Sequence, residues 1–242
     1  QHSTSIGGVI KATAKRGHRS DRPELAKGDI LAYSDGNLVF KGGSAEDNLI
    51  ADSGKNILIN RTSSGYTNTN TTVGKDLILN AKGSNAIIDV QVGNKSVINS
   101  AEGYNSIDKL TTKELDTSAG YFTNLTNSTI TGNAKARVGK TTSTSRPDQR
   151  MFFMKDTKVG GNLDASSETG YIHLDGGSVG GDATLAGNTR GDGNMGHIII
   201  GYKGNDKEVI LSDKTAAQHS TSIGGVIKAT AKRGHRSDRP EL

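Results

Sequence analysis

Val159–Gly187 reads VGGNLDASSETGYIHLDGGSVGGDATLAG. Its opening, Val159-Gly160-Gly161-Asn162-Leu163-Asp164-Ala165, returns twenty positions later as Val179-Gly180-Gly181-Asp182-Ala183-Thr184-Leu185. Ile130-Thr131-Gly132-Asn133-Ala134-Lys135-Ala136 is a third copy, and Ile6–Ala12 (IGGVIKA) and Ile223–Ala229 are two more. Each copy is a β-branched residue, a corner of one or two glycines, a variable residue, then inward–outward alternation. The β-branched side chain suits a narrow β core. The glycines, with Gly160, Gly161, Gly180 and Gly181 as the marked corner residues, supply a bend that side chains with a Cβ resist. The Asn or Asp after them can bond its own turn. A spacing of twenty fits one coil of a β-solenoid.

The rest of the chain reads the same way. Short apolar runs, such as Asn37–Phe40 (NLVF), Asn56–Ile59 (NILI), Asp76–Leu79 (DLIL) and Ala86–Val90 (AIIDV), are punctuated by Gly and Asn. Gly74, Gly83, Gly93 and Gly103 follow one another at steps of nine, ten and ten. Turn residues at that spacing between short strands mark an all-β chain, a sandwich, a barrel or a chain wound into solenoid coils. Helical periodicity is scarce: Ile107–Thr117 comes nearest, with Ile107, Leu110 and Leu115, but adjacent threonines weigh against it. Coils of that length stacked at about 4.8 Å would divide the unique part of the chain into about eleven, advancing about 50 Å.

Composition narrows the function. The chain of 242 residues has 32 Gly, no Cys, no Trp, six Tyr and four Phe. Without Cys there is no disulfide framework, thiolate metal site or Cys nucleophile. A core of stacked small aliphatics needs few aromatics. No apolar run approaches the roughly 18 residues of a membrane-spanning helix.

Residues 1–25 (QHSTSIGGVIKATAKRGHRSDRPEL) recur letter for letter as residues 218–242, an offset of 218 − 1 = 217. The net charge of +5 falls to +2 when this +3 segment is counted once, which gives weak support for a nucleic-acid partner, and none is expected. The organisation read from this is a junction segment 1–25, a β-rich half 26–140, a second half 141–217 with the Gly-Gly-Asn/Asp corners, and the junction copy 218–242. In Ser5–Ala14, Ile10, Ala12 and Ala14 point one way, and Val9, Lys11 and Thr13 the other. Ile6, Val9, Ile10, Ala12 and Ala14, with their duplicates Ile223, Val226, Ile227, Ala229 and Ala231, are therefore the candidate intermodule contacts. Three readings stay open. The protein is a tandem array with this period; or a pilin-like subunit lends its N-terminal strand to a neighbour and the second copy fills its own groove; or a neighbour's segment is joined to this chain. In the second, main-chain bonds to an exposed edge would give affinity.

Val159–Gly187 resembles the β-helical shafts of secreted filamentous haemagglutinin-type adhesins and, more loosely, bactofilin-type solenoids. Gly120–Gly132 (GYFTNLTNSTITG) and Asp29–Gly42 (DILAYSDGNLVFKG) resemble phage tail-fibre shafts. The resemblance implies an extracellular or cell-surface fibre used for attachment, without catalysis in the shaft. The expected partners are copies of the chain or tandem neighbours, and host-surface or matrix glycans.

Motifs for chemistry are sparse. Gly139-Lys140-Thr141 has the end of a phosphate loop, but Ala134 stands where its first Gly belongs. His2, His18, His173 and His197 lack metal-ligand spacing. No cofactor is expected. Calcium is the one ion that Asp175, Asp182, Asp192 and Asp206 near glycine corners would suit, yet no D-x-D-x-D-G loop occurs. Arg190-Gly191-Asp192 is an isolated RGD, and Lys15–Arg22 a basic loop. Met151-Phe152-Phe153-Met154 beside Arg146 and Arg150 reads as a packing plug. Sequons begin at Asn60, Asn70, Asn94, Asn124 and Asn127. A carbohydrate-acting β-helix enzyme, the rival class, would require Asp164, Asp175 and Asp182 to converge in a groove.

Overall fold

The computed structural model describes residues 4–6, 8–20, 24–62, 65–66, 69–139, 151–187, 198–200, 221–231 and 235–237. Among the described residues there is no helix, and the strands wind into a three-faced β-solenoid. Each coil contributes one strand to each face. Face B is a ten-stranded parallel sheet, starting with Ile10–Ala14, Ile30–Ser34, Leu49–Ser53 and Leu77–Ala81 and ending with Ala183–Gly187 and Ile227–Ala231. Its strands, in chain order, are rungs 1 to 10. After each B strand the chain enters face C (Asn37–Phe40 and Ile57–Ile59, for example) and then face A (Gly43–Ala45 and Thr71–Val73) before returning. Asn85–Val92 and Asn105–Thr112 run unbroken through the C-to-A corner, so faces A and C form one 18-stranded sheet. All of this pairing is parallel. The antiparallel pair, Arg61–Thr62 with Gly65–Tyr66, belongs to an inserted hairpin.

The register gives the coil length. Ile10 lies beside Ile30, Ile30 beside Leu49, and Leu77, Ser96, Leu115 and Ala134 follow one another. These are steps of nineteen or twenty, as the spacing of the Gly corners predicts. Leu49 to Leu77, Ala134 to Leu163 and Ala183 to Ile227 are longer, because those coils carry extra residues between successive strands, the last of them on both sides of Ile198–Ile200. The 217-residue period therefore holds nine coil steps and advances about 43 Å, fewer than the eleven that uniform coils would give. Long corner loops are tolerated because closure entropy grows slowly with length.

The core is a set of inward columns. One runs Phe40, Ile59, Ile87, Ile107, Leu125, Met154, Leu174 and Ile200, each partnered with the next. All eight are buried. Aromatics are not wholly excluded: Phe40 and Phe152 are fully buried. Residues 107–117, the nearest approach to helical spacing, lie in Asn105–Thr112 and Glu114–Ala119, where Ile107, Leu110 and Leu115 face inward from three successive faces, the alternation being reset at Lys109 in the corner between the first two. Neighbouring rungs supply backbone partners on both sides, which overrides a weak local preference.

Candidate functional site: the terminal coils and their corners

The repeated Gly corner is one corner of successive coils. Ile130, Val159, Val179 and Ile223 stack as Cα partners, and Ile6 begins the same column at the other end. The glycines there are required by close approach, not by a left-handed bend. A Cβ at Gly160 would lie 2.3 Å from the Thr131 carbonyl oxygen, at Gly180 2.3 Å from that of Gly160, and at Gly224 2.4 Å from that of Gly180. The second glycine crowds an amide instead: a Cβ at Gly161 or Gly181 would lie 2.5 or 2.1 Å from Oδ1 of Asn133 or Asn162. The glycine spacing of nine or ten is half a coil. Gly93 packs on Gly74, while Gly103 packs on Gly83 at a different corner.

The Asn or Asp after the glycines reaches the next coil, not its own turn. Asn133 Oδ1 accepts from the Asn162 amide N–H at 2.8 Å, Asn162 Oδ1 from that of Asp182 at 2.8 Å, and Asp182 Oδ1 from that of Val226 at 2.8 Å. The same corner continues at the other end, where Asp29 Oδ1 accepts from the Asn48 N–H at 3.0 Å and Asn48 Oδ1 from that of Asp76 at 3.1 Å. Such a ladder satisfies corner N–H groups that no strand serves. The signal for it in the sequence is an Asn or Asp just ahead of most B strands. Beside it, Asp47 Oδ1 lies 2.7 Å from Lys75 Nζ and, chiefly through that hydrogen bond, raises the ammonium above its ordinary range. The pair is exposed and contributes little.

Both copies of the 25-residue segment fold into the same coil. Thr4–Ile6, Ile10–Ala14 and Gly17–Ser20 form the first; Ser222–Ile223, Ile227–Ala231 and His235–Ser237 form the last. Among the described pairings, Ile10–Ala14 pairs with Ile30–Ser34 alone, and Ile227–Ala231 with Ala183–Gly187 alone. The alternation is as the sequence implies: Ile10, Ala12 and Ala14 turn inward, and Lys11 and Thr13 outward. Ile10, Ile227 and Ala229 are only partly buried against the core, whereas Ile30 in the second rung is 3 % exposed. Val9 and Val226 occupy the ladder position and are 46 % and 57 % exposed. The side chains of Ile6 and Ala231 lie outside the described residues.

Asp164, Asp175 and Asp182 do not converge. Asp164 faces outward from face B and pairs with Arg137; Asp175 is buried at the end of Tyr171–Asp175 on face C; Asp182 is a corner-ladder residue. Among the described residues no three His, Asp or Glu side chains gather as metal ligands. Phe152 and Met154 are buried core residues, while Met151 and Phe153 face outward from one strand, Phe153 in edge contact with His173 at 5.0 Å. Asn60 is buried, with its amide fully engaged, so this sequon is structural; Asn70 is exposed. Lys140, Arg146, Arg150, the RGD, Asp206, His2 and His197 lie outside the described residues, as do the side chains of His18, Arg19 and Arg22. Comparison of the chain with family models, curated proteins and solved structures finds no significant match to any of them.

Proposed function

We propose that the chain is a structural tandem-repeat unit of an extracellular fibre, used for surface attachment or cell–cell contact, in which successive 217-residue blocks continue one solenoid. The observation that carries this reading is that the two identical segments form the same coil in the same register at the two ends of the ladder. A block thus returns to its starting phase after nine coils. The half-covered Ile10, Ile227 and Ala229 are the seats that a further coil would complete. Among the described residues each terminal B strand is paired on one side only, and an open β edge invites such continuation.

Continuation within one chain fits better than stacking of separate units. End-to-end stacking of two 242-residue copies would set Ile10–Ala14 on Ile227–Ala231, with Lys11 over Lys228. Like charges directly opposite are unfavourable. In a continuous chain the Lys228 position instead faces the equivalent of Leu31, as Lys11 does here. A donor-strand subunit would need one strand of the segment; here each copy supplies all three sides of a coil.

The test is electron microscopy of proteins carrying one, two and three blocks. Rods that lengthen by about 43 Å per block support the reading. Separate beads on tethers would overturn it. Antibody labelling of intact cells tests the location, and labelling only after permeabilisation would overturn that part.

A further inference from the structure

The outer surface of face B carries a pattern that the fibre reading does not use. One outward column runs Lys11, Leu31, Ile50, Ile78, Val97, Asp116 over rungs 1 to 6, each the Cα partner of the next. The four aliphatic side chains are half-buried and turn away from the core. The column is nearly its own mirror about its midpoint: two isoleucines at the centre, Leu and Val outside them, and opposite charges at the ends.

We infer that face B is an interface between two copies of this chain, packed face to face and antiparallel, with a two-fold axis along the strand direction between rungs 3 and 4. A two-fold interface requires one patch to complement itself. This axis brings Ile50 against the second copy's Ile78, Leu31 against Val97 and Lys11 against Asp116. The flanking columns agree: Asp29 comes opposite Lys95, Asp52 opposite Asn80, and Tyr33 opposite Asn99. No like charges meet in these three columns. The alternative axis along the fibre would set Lys11 on Lys11 and Asp116 on Asp116. Asp52, Asn80, Asn99 and Ser118 already form a hydrogen-bonded row (2.7, 3.0 and 2.8 Å), so this polar flank is fixed before association.

The overlap is about 29 Å along the axis and about 17 Å along the strands, or roughly 1,000 Å² buried in total, at the small end of specific interfaces. One block therefore pairs reversibly. The inference does not rest on the fibre reading, since a single block suffices to test it.

Sedimentation of the 242-residue chain over about 10 µM to 1 mM, where so small an interface is half-associated, should show a monomer–dimer equilibrium. Ile50→Glu with Ile78→Glu should weaken it at least tenfold. Lys11→Glu and Asp116→Lys should each weaken it several-fold, and the two together should restore it, because the introduced carboxylate then meets the introduced ammonium of the second copy. The chain has no Cys, so introduced thiols are unique. Leu31→Cys mixed with Val97→Cys should cross-link far faster than either alone. A chain that stays monomeric throughout, an Ile50/Ile78 double variant that pairs like the parent, absence of charge rescue, or Leu31→Cys that cross-links equally well with itself would each overturn the inference.

Discussion

The Val226 amide donates to Asp182 Oδ1 at 2.8 Å, and there the corner ladder stops, because Val226 carries no acceptor to offer a following coil. The same break occurs at Val9, below Asp29. If blocks are joined in series, each join is a rung at which corner bonding is interrupted while strand pairing continues. Asp182→Ala should therefore cost about 0.5–1.5 kcal/mol, the net worth of one hydrogen bond. Asp182→Asn, whose Oδ1 still accepts, should cost almost nothing. Urea denaturation of both variants separates the hydrogen bond from the charge.

Gly180 has no room for a side chain. Its Cβ would meet the Gly160 carbonyl oxygen at 2.3 Å, a backbone atom that cannot swing away. Gly180→Ala should destabilise by about 1–3 kcal/mol, as overpacking does elsewhere. Gly8→Ala, at the second-glycine position of the first coil and with nothing within 4 Å of the added carbon, is the uncrowded corner control and should be close to neutral in thermal unfolding.

Lys109 is the misfit at the C-to-A corner. It has φ of 53°, where the same corner carries Asp89 at 54°, Asn127 at 49° and Asp156 at 46°. Asn and Asp tolerate this left-handed region and Lys does so less well. Lys109→Asn should raise stability by up to about 1 kcal/mol, read as a higher midpoint at unchanged urea m-value.

Asn60 holds a corner from inside. Its Nδ2 donates to the carbonyls of Ile88 at 2.8 Å and Asp89 at 3.0 Å, and its Oδ1 accepts from the Gly42 N–H at 2.7 Å and the Thr71 hydroxyl at 3.1 Å. Asn60→Ala orphans several buried groups and should cost about 2–3 kcal/mol or more. In a host that glycosylates Asn, glycopeptide analysis should find sugar at the exposed Asn70 and none at Asn60. Occupancy at Asn60 in folded protein would contradict its burial.

The amino-acid sequence alone determined the class and the pitch of this molecule. Short aliphatic runs between Gly and Asn suffice for an all-β chain, because inward–outward alternation is a local property, and Val-Gly-Gly at Val159 and again at Val179 gives the repeat length, whereas the crowding that requires those glycines comes from the neighbouring coil. The alternation of Ile10, Ala12 and Ala14 against Lys11 and Thr13 was legible for the same reason. Which residues lie on top of one another was not. Ile50 and Ile78 are neighbours in adjacent rungs, and the hairpin of Arg61–Thr62 with Gly65–Tyr66 lies between them in the chain, hiding the step. The tertiary structure decided the register, and the register placed Asn162 under Asp182, made two corners of one glycine series, and lined up the column from Lys11 to Asp116. Pairing between rungs is set by the whole stack of parallel strands, whose corner loops can lengthen at little entropic cost without moving a rung.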